Sequence, residues 1–201
     1  MNKLKIETSG LTFDELTHTY RLNGAKIPSV SAIIRPMNET FYKDVDKEVL
    51  NKAADRGRAI HSAIETWICY QMNTIVDEDH RGYFDGFLEW YKARNVEPLA
   101  TECMIYHKIL KYAGTADLIC TINNETFLVD FKNTVSVNEK AYSLQLEAYR
   151  QAFKTHGVEI AKKMILHLRP DGTYKEIILA DDPYKWLAFN HFKGVWDYIN
   201  S

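Results

Sequence analysis

The stretch from Gly114 to Lys132 constrains this chain most: Gly-Thr-Ala-Asp-Leu-Ile-Cys-Thr-Ile-Asn-Asn-Glu-Thr-Phe-Leu-Val-Asp-Phe-Lys. Two short runs of strand formers flank Asn123-Asn124, and asparagine tolerates the positive φ that a two-residue hairpin turn demands. The spacing predicts a β-hairpin that pairs Ile122 with Glu125. Counting outward, Asp117 falls opposite Asp130 and Thr115 opposite Lys132. Side chains alternate along a strand, so Asp130 and Lys132 share a face, and Asp117 joins them from across the ladder. Directly opposed residues have Cβ atoms roughly 4.5–5.5 Å apart, and like charges there are destabilising. Two carboxylates so placed call for a cation or a shared proton between them. Two acids with a lysine beside them form the outline of a metal-dependent phosphodiester hydrolase.

At 201 residues the chain is long enough for one domain with a sizeable core, and 1–201 reads as a single unit. Hydrophobic content of 46% with 26% charged residues is that of a soluble globular protein. No apolar run approaches the roughly 20 residues of a membrane span. The start, Met-Asn-Lys-Leu-Lys-Ile-Glu-Thr, carries no apolar signal segment, so the expected location is the cytoplasm. Cys69, Cys103 and Cys120 are scattered, without CxxC spacing, which argues against a disulfide framework or zinc site. Three thiols are also too few for a four-cysteine iron–sulfur cluster, and their apolar surroundings predict buried, reduced side chains. A net charge of −2 counts mildly against nucleic acid, which needs local positive charge. Acidic residues gathered at metal ligands would leave room for it.

Along the chain, residues 11–27 read as a first hairpin turning at Asn23-Gly24. Ser29 caps a short helix over Val30–Ile34 that Arg35-Pro36 should end. Residues 42–72 have helical periodicity, expected as two helices, the second carrying Ile60, Ile64, Trp67 and Ile68. Gly57 lies one turn before His61, a position that suggests close backbone approach. A polar break from Asn73 to Asp79 precedes a helix near 80–94, and a meander begins with the alternating strand 101–107. The hairpin follows, then a helix over 139–155, a hairpin over 161–179 with a Pro170-Asp171-Gly172 turn, and a final helix capped by Asp182. That last helix is expected to bury Trp186, Phe189, Val195, Trp196 and Ile199. The order implies an α/β domain with one mixed sheet covered by helices.

Outside the hairpin the residues are less decisive. His61 borders an apolar stripe, where a core-edge histidine is the ordinary case and a metal ligand the rarer one. Glu65 lies one turn on, where a solvated face is the ordinary reading. Gln145 and Tyr149 share one side of their helix. They fit a half-buried polar pair at a helix–sheet seam as well as a pair that contacts substrate, and periodicity does not choose between them. Lys108, Lys111, Lys140, Arg150 and Lys154 are candidates for a DNA path, or simply solvated charges.

Taken together, Gly57-Arg58-Ala59-Ile60-His61, Gly114-Thr115-Ala116-Asp117, Asp130-Phe131-Lys132 and the QxxxY element from Gln145 to Tyr149 resemble the RecB-like branch of the PD-(D/E)XK nuclease superfamily. They span about 55–155, which would be the catalytic core, with 1–35 as an N-terminal hairpin and short helix. Ile27-Pro28-Ser29-Val30-Ser31 and the hairpin before it are similar to phage and prophage members described as exonucleases. The resemblance implies a three-layer, restriction-endonuclease-like α/β fold with a central mixed sheet flanked by helices. It also implies Mg²⁺ or Mn²⁺ held by His61, Asp117, Asp130 and the main-chain carbonyl of Phe131. Lys132 would be the catalytic lysine, with Gln145 and Tyr149 assisting catalysis or contacting DNA, and Glu102 and Glu65 in support. Some relatives carry four cluster cysteines; this chain does not, so no iron–sulfur cluster is expected. The implied activity is a DNA exonuclease of phage or prophage recombination or DNA processing. The implied partners are DNA and a phage single-strand annealing or recombination protein, with no membrane. Two alternatives stand beside it: a structure-specific or single-strand endonuclease, and a non-cleaving DNA-binding protein on a nuclease fold.

Overall fold

A computed structural model describes Leu4, residues 6–71 and residues 76–201. The expected polar break from Asn73 to Asp79 and the expected helix end at Met72 lie partly or wholly outside the described residues. The chain forms two sheets rather than one. The first joins β1 (Leu11–Asp14), β2 (Thr19–Leu22) and β3 (Ala25–Ile27) in antiparallel order. Asn23-Gly24 turns β2 into β3, with both φ angles positive, so the first hairpin gains a third strand. This sheet packs against the second one: Leu11, Tyr20, Leu22 and Ile27 cluster with Ala113 and with Met104 and Tyr106.

After Ser29, whose hydroxyl accepts from the Ala32 amide at 3.1 Å, α1 (Val30–Ile33) is followed by α2 (Arg35–Phe41). Pro36 therefore opens a helix instead of ending one. Proline is tolerated in a first helical turn, because the amide it lacks has no partner there. The periodic stretch that follows is one helix, α3 (Lys47–Tyr70), capped by Asp46 through the Glu48 amide at 2.7 Å. Next comes α4 (Glu78–Ala93).

The second sheet runs in spatial order β4 (Glu97–Tyr106), β5 (Ala113–Ile122), β6 (Glu125–Lys132), β7 (Lys162–Leu168) and β8 (Tyr174–Leu179). It is mixed: β6 and β7 are parallel and the other pairs antiparallel. A parallel pair needs a crossover, and α5 (Glu139–Thr155) supplies it, so the helix returns over the strand that carries Asp130 and Lys132. The chain closes with α6 (Pro183–Asn200), capped by Asp182 through the Tyr184 amide at 2.9 Å.

The layers follow from side-chain parity. Val129, Phe131, Met164 and Leu166 face Ile60, Ile64 and Ile68 of α3 and Phe84, Phe87 and Trp90 of α4. Leu128, Ile165 and Leu179 face α1, α5 and α6. Helices thus cover both faces of the central sheet, the three-layer α/β architecture. Full burial of each large apolar side chain contributes about 1.5–3 kcal/mol. Close approach is needed at α4: a Cβ on Gly82 would lie 1.8 Å from the Pro170 carbonyl oxygen in the β7–β8 turn. Gly57 is different. A Cβ there would meet Asn133 Oδ1 at an ordinary 3.6 Å, so sterics do not require glycine. Of the cysteines, Cys103 and Cys120 are buried, with burial pushing their thiols up to about 11 and about 12, whereas Cys69 is half-buried. No helix among the described residues is long and apolar enough to cross a membrane.

His107, in the β4–β5 connection, yields a pH-dependent prediction. Its Nδ1 accepts from the amides of Ile109 (3.2 Å) and Leu110 (3.1 Å), and its ring stacks on Trp186. Burial, reinforced by His156, holds it down to about 4. Between pH 4 and 6.5 the unfolded chain binds more protons here. His107 therefore supports the fold fully above pH 6.5 and loses that contribution as pH falls toward 4, by about 3 kcal/mol at most. Urea denaturation at pH 7 and pH 4.5 should show a smaller acid loss for His107→Asn, which keeps an acceptor but does not titrate. Equal losses in both proteins would refute the assignment.

Candidate metal centre

The centre forms where β5 and β6 part. The expected register holds from Ile122↔Glu125 to Leu118↔Val129, with both turn asparagines at positive φ. The paired ladder ends there, one step short of Asp117 and Asp130. The Asp117 carboxylate takes the place of a backbone acceptor: its Oδ2 accepts the Phe131 amide at 2.7 Å. The two aspartates therefore flank a gap rather than a closed rung.

On the other side of β5, Glu102 lies between the pairs Thr101↔Leu118 and Cys103↔Ala116 without a partner of its own in the register. Its φ is +43°, the left-handed region that non-glycine residues rarely adopt. Such strain costs about 1–3 kcal/mol and is concentrated at functional sites. Its effect on parity is visible: Ala100, Cys103 and Ile105 all face the same core layer. Thr101 Oγ1 donates to the Asp117 carbonyl at 3.0 Å across this irregularity.

His61 reaches the gap from α3, whose apolar stripe orients the helix so that residue 61 falls at its edge. Its Nε2–H donates to the Phe131 carbonyl at 3.2 Å, leaving Nδ1 at 3.5 Å from Glu102 Oε1 and 3.7 Å from Asp117 Oδ2. Burial depresses the imidazole, but Asp117 and Glu102 outweigh it and raise the ring to about 9. His61, Glu102 and Asp117 each offer a ligand atom within 4.8 Å of the others, a group able to hold a metal ion. A histidine that ligates through one nitrogen while donating the other N–H to a backbone carbonyl is a recurrent metal-site arrangement. The nitrogen and oxygen donors of these residues fit a divalent cation.

Asp130 and Lys132 do share a face, the one under α5. Lys132 Nζ lies 2.5 Å from Asp130 Oδ2, a close charge contact whose direction is poor for a hydrogen bond. Nζ also lies 4.5 Å from the centre of the Tyr142 ring. Gln145 Nε2 donates to Asp130 Oδ1 at 2.8 Å. Burial raises Asp130 to about 6, with Lys132 opposing and Asp117 adding to the rise. Asp117 is also raised, chiefly by burial, against the pull of His61 and Lys132. Lys132 is held well above its ordinary range; burial opposes this, and Asp130, Tyr142 and Asp117 prevail.

Tyr149 is buried beneath β5, and Gly114 makes room for it. A Cβ at 114 would fall 2.3 Å from the ring and 2.7 Å from its hydroxyl. Burial, with Tyr20, Asp130, Asp117 and Glu102 around it, keeps the phenol well above its ordinary range and therefore neutral. Tyr20 shares a 2.8 Å hydrogen bond with Thr115 beside this group.

The structure thus brings together His61, Glu102 and Asp117, with Asp130, Lys132 and Gln145 adjoining. The Phe131 carbonyl is engaged by His61. Glu65, half-buried one turn along α3, is outside the ligand group. Arg150 is not free for a DNA path, since it pairs with Glu147 and Asp181. Sequence reasoning passed over Tyr142, although it stands three residues before Gln145 on the same face of α5. Tyr20 lacked any such periodic link, because it arrives from the other sheet.

No protein-family model matches the sequence, and no curated protein matches it. Among solved structures the chain is similar to the crystal structure of SSO0001, at 17% identity and a TM-score of 0.44, covering 84% of this chain and 75% of that one. That similarity carries no argument about activity.

Proposed function

We propose that this chain is a divalent-metal-dependent DNA exonuclease of the RecB-like PD-(D/E)XK type, acting in phage or prophage recombination or DNA processing. One observation carries the reading: at the parted end of β5 and β6, a His61–Glu102–Asp117 ligand group lies beside an Asp130–Lys132 pair held by Gln145. His61 through Nδ1, Glu102 and Asp117 would hold the ion, with Asp130 next to them. Bound there, Mg²⁺ or Mn²⁺ would polarise phosphoryl oxygens and lower the pKa of water.

The chain's own groups supply the rest. Lys132 stays cationic, so it serves as a fixed positive charge for the negative charge that develops at phosphorus, not as a proton acceptor. Tyr142 and Asp130 hold that ammonium in place. Gln145 fixes the Asp130 carboxylate through one oxygen and leaves the other turned to Lys132. Tyr149, neutral and buried, offers a phenolic donor rather than a charge.

The test is digestion of end-labelled linear duplex, linear single-stranded and closed circular DNA with Mg²⁺ or Mn²⁺. The wild-type chain should degrade linear DNA from its ends and leave circles intact, and Asp117→Ala should be inactive. Cleavage of circles would favour the endonuclease reading. Identical activity in the wild type and Asp117→Ala would remove the site from the chemistry.

A further inference from the structure

The outward face of α6 breaks the pattern of a surface helix. Trp186, Phe189, Phe192 and Trp196 turn inward against α1, α5 and the sheet. Val195 and Ile199, expected on that buried face, instead point to solvent at 58% and 72% exposure. Diametrically opposite the buried side lie Tyr184, Leu187, His191, Gly194, Val195 and Tyr198, with no Asp, Glu, Lys or Arg among them. A helix apolar on both sides belongs in an interior.

The order of these residues says what covers them. Tyr184, Leu187, His191, Val195 and Tyr198 are spaced three, four, four and three apart, so the stripe reads alike in either direction from His191. Tyrosine stands at both ends and a branched aliphatic residue at both inner positions. Ala188 and Gly194 are related by the same centre. A two-fold axis at His191 would set Tyr184 against the second copy's Tyr198, and Leu187 against its Val195. That is the self-complementarity an isologous interface needs. Gly194 adds an independent sign. Glycine inside a helix costs about 1 kcal/mol against alanine, yet a Cβ at 194 would have nothing within 4 Å. Nothing in the described chain calls for that glycine, whereas a second helix crossing there would.

With Tyr184 and Tyr198 74% and 84% exposed, the face offers roughly 600 Å² per protomer; about 1,200 Å² for the pair is at the lower end of the range that specific interfaces bury.

We infer that α6 pairs antiparallel with α6 of a second copy of this chain, about a two-fold axis at His191. The inference is independent of the proposed nuclease activity. Sedimentation equilibrium at tens of micromolar should give twice 23.3 kDa for the wild-type chain and 23.3 kDa for Leu187→Glu. In a Cys69→Ser background, a short bifunctional maleimide should join His191→Cys protomers into a covalent dimer. It should leave Tyr184→Cys protomers unjoined, because fourteen residues of helix separate position 184 from the second copy's position 184 by about 21 Å. A monomeric wild type, a dimeric Leu187→Glu, or cross-linking at both positions would each overturn the inference.

Discussion

On the proposed nuclease reading, replacing Lys132 by methionine is expected to slow DNA cleavage about 10²–10³-fold while leaving metal binding intact. The size follows from the loss of one preorganised charge aimed at a developing anion. The split follows from geometry. Lys132 pairs with Asp130 under α5, whereas the His61–Glu102–Asp117 group lies across the gap. Methionine keeps the stem and its packing on Tyr142 but removes the ammonium. The centre then becomes more negative, so Mn²⁺ should bind at least as tightly. Asp117→Asn should behave differently, losing metal affinity and rate together, because its carboxylate belongs to the ligand group. Calorimetric Mn²⁺ titration beside single-turnover cleavage separates the two. Unchanged turnover in Lys132→Met would demote the lysine to a structural counter-ion of Asp130.

Replacing Glu147 by alanine is expected to destabilise the fold by about 3–5 kcal/mol, the cost of breaking a buried ion pair. Glu147 on α5 and Lys163 on β7 are each 1% exposed and bonded to one another. Glu147 also accepts from Arg150 at 3.0 Å and Gln151 at 2.8 Å. Burial alone would raise its pKa, but these donors outweigh it and hold the carboxyl below its ordinary value. After truncation, the Lys163 ammonium keeps only Asp181, at 3.0 Å and 65% exposed. For a chain of this length the melting temperature should fall by about 6–20 °C. The double change Glu147→Leu with Lys163→Met should recover most of the loss, since apolar replacement of such a pair is often neutral or better. Urea denaturation of the wild type and these two variants decides; a loss under about 1 kcal/mol for Glu147→Ala would show the pair to be dispensable.

The link between this pair and the centre is α5. The helix that carries Glu147 also carries Tyr142, Gln145 and Tyr149. Glu147–Lys163 anchors it to β7, the parallel neighbour of β6. Positioning of Gln145 over Asp130 therefore rests on a salt bridge that lies outside the candidate site.

How much of this was legible in the sequence depended on whether the signal was local. Asn123-Asn124 determined a tight turn, because only residues that tolerate positive φ close a two-residue hairpin. The register up to Leu118↔Val129 followed by counting. The bounds of α5 and the caps at Ser29 and Asp182 were likewise local. Pro36 misled because proline both ends and begins helices, and what decides between them is the packing of the chain after it.

Parity and position across elements were settled only in three dimensions. Alternation along β4 placed Glu102 beside Met104 and Tyr106, but it could not reveal that a positive φ at 102 turns the strand. That turn brings the carboxylate to His61 and into the ligand group. The same holds for the ladder's end: opposed aspartates were countable, whereas the gap depends on Asp117 capturing the Phe131 amide. Val195 and Ile199 fit a helical apolar period, but periodicity does not choose between two apolar faces. The sheet chose one, and the other was left to solvent. By itself the sequence determined which residues are candidates for a site and how they are spaced along their own elements. Tertiary structure decided which of them meet, because a metal ligand set is made of atoms within a few ångströms that lie on different elements.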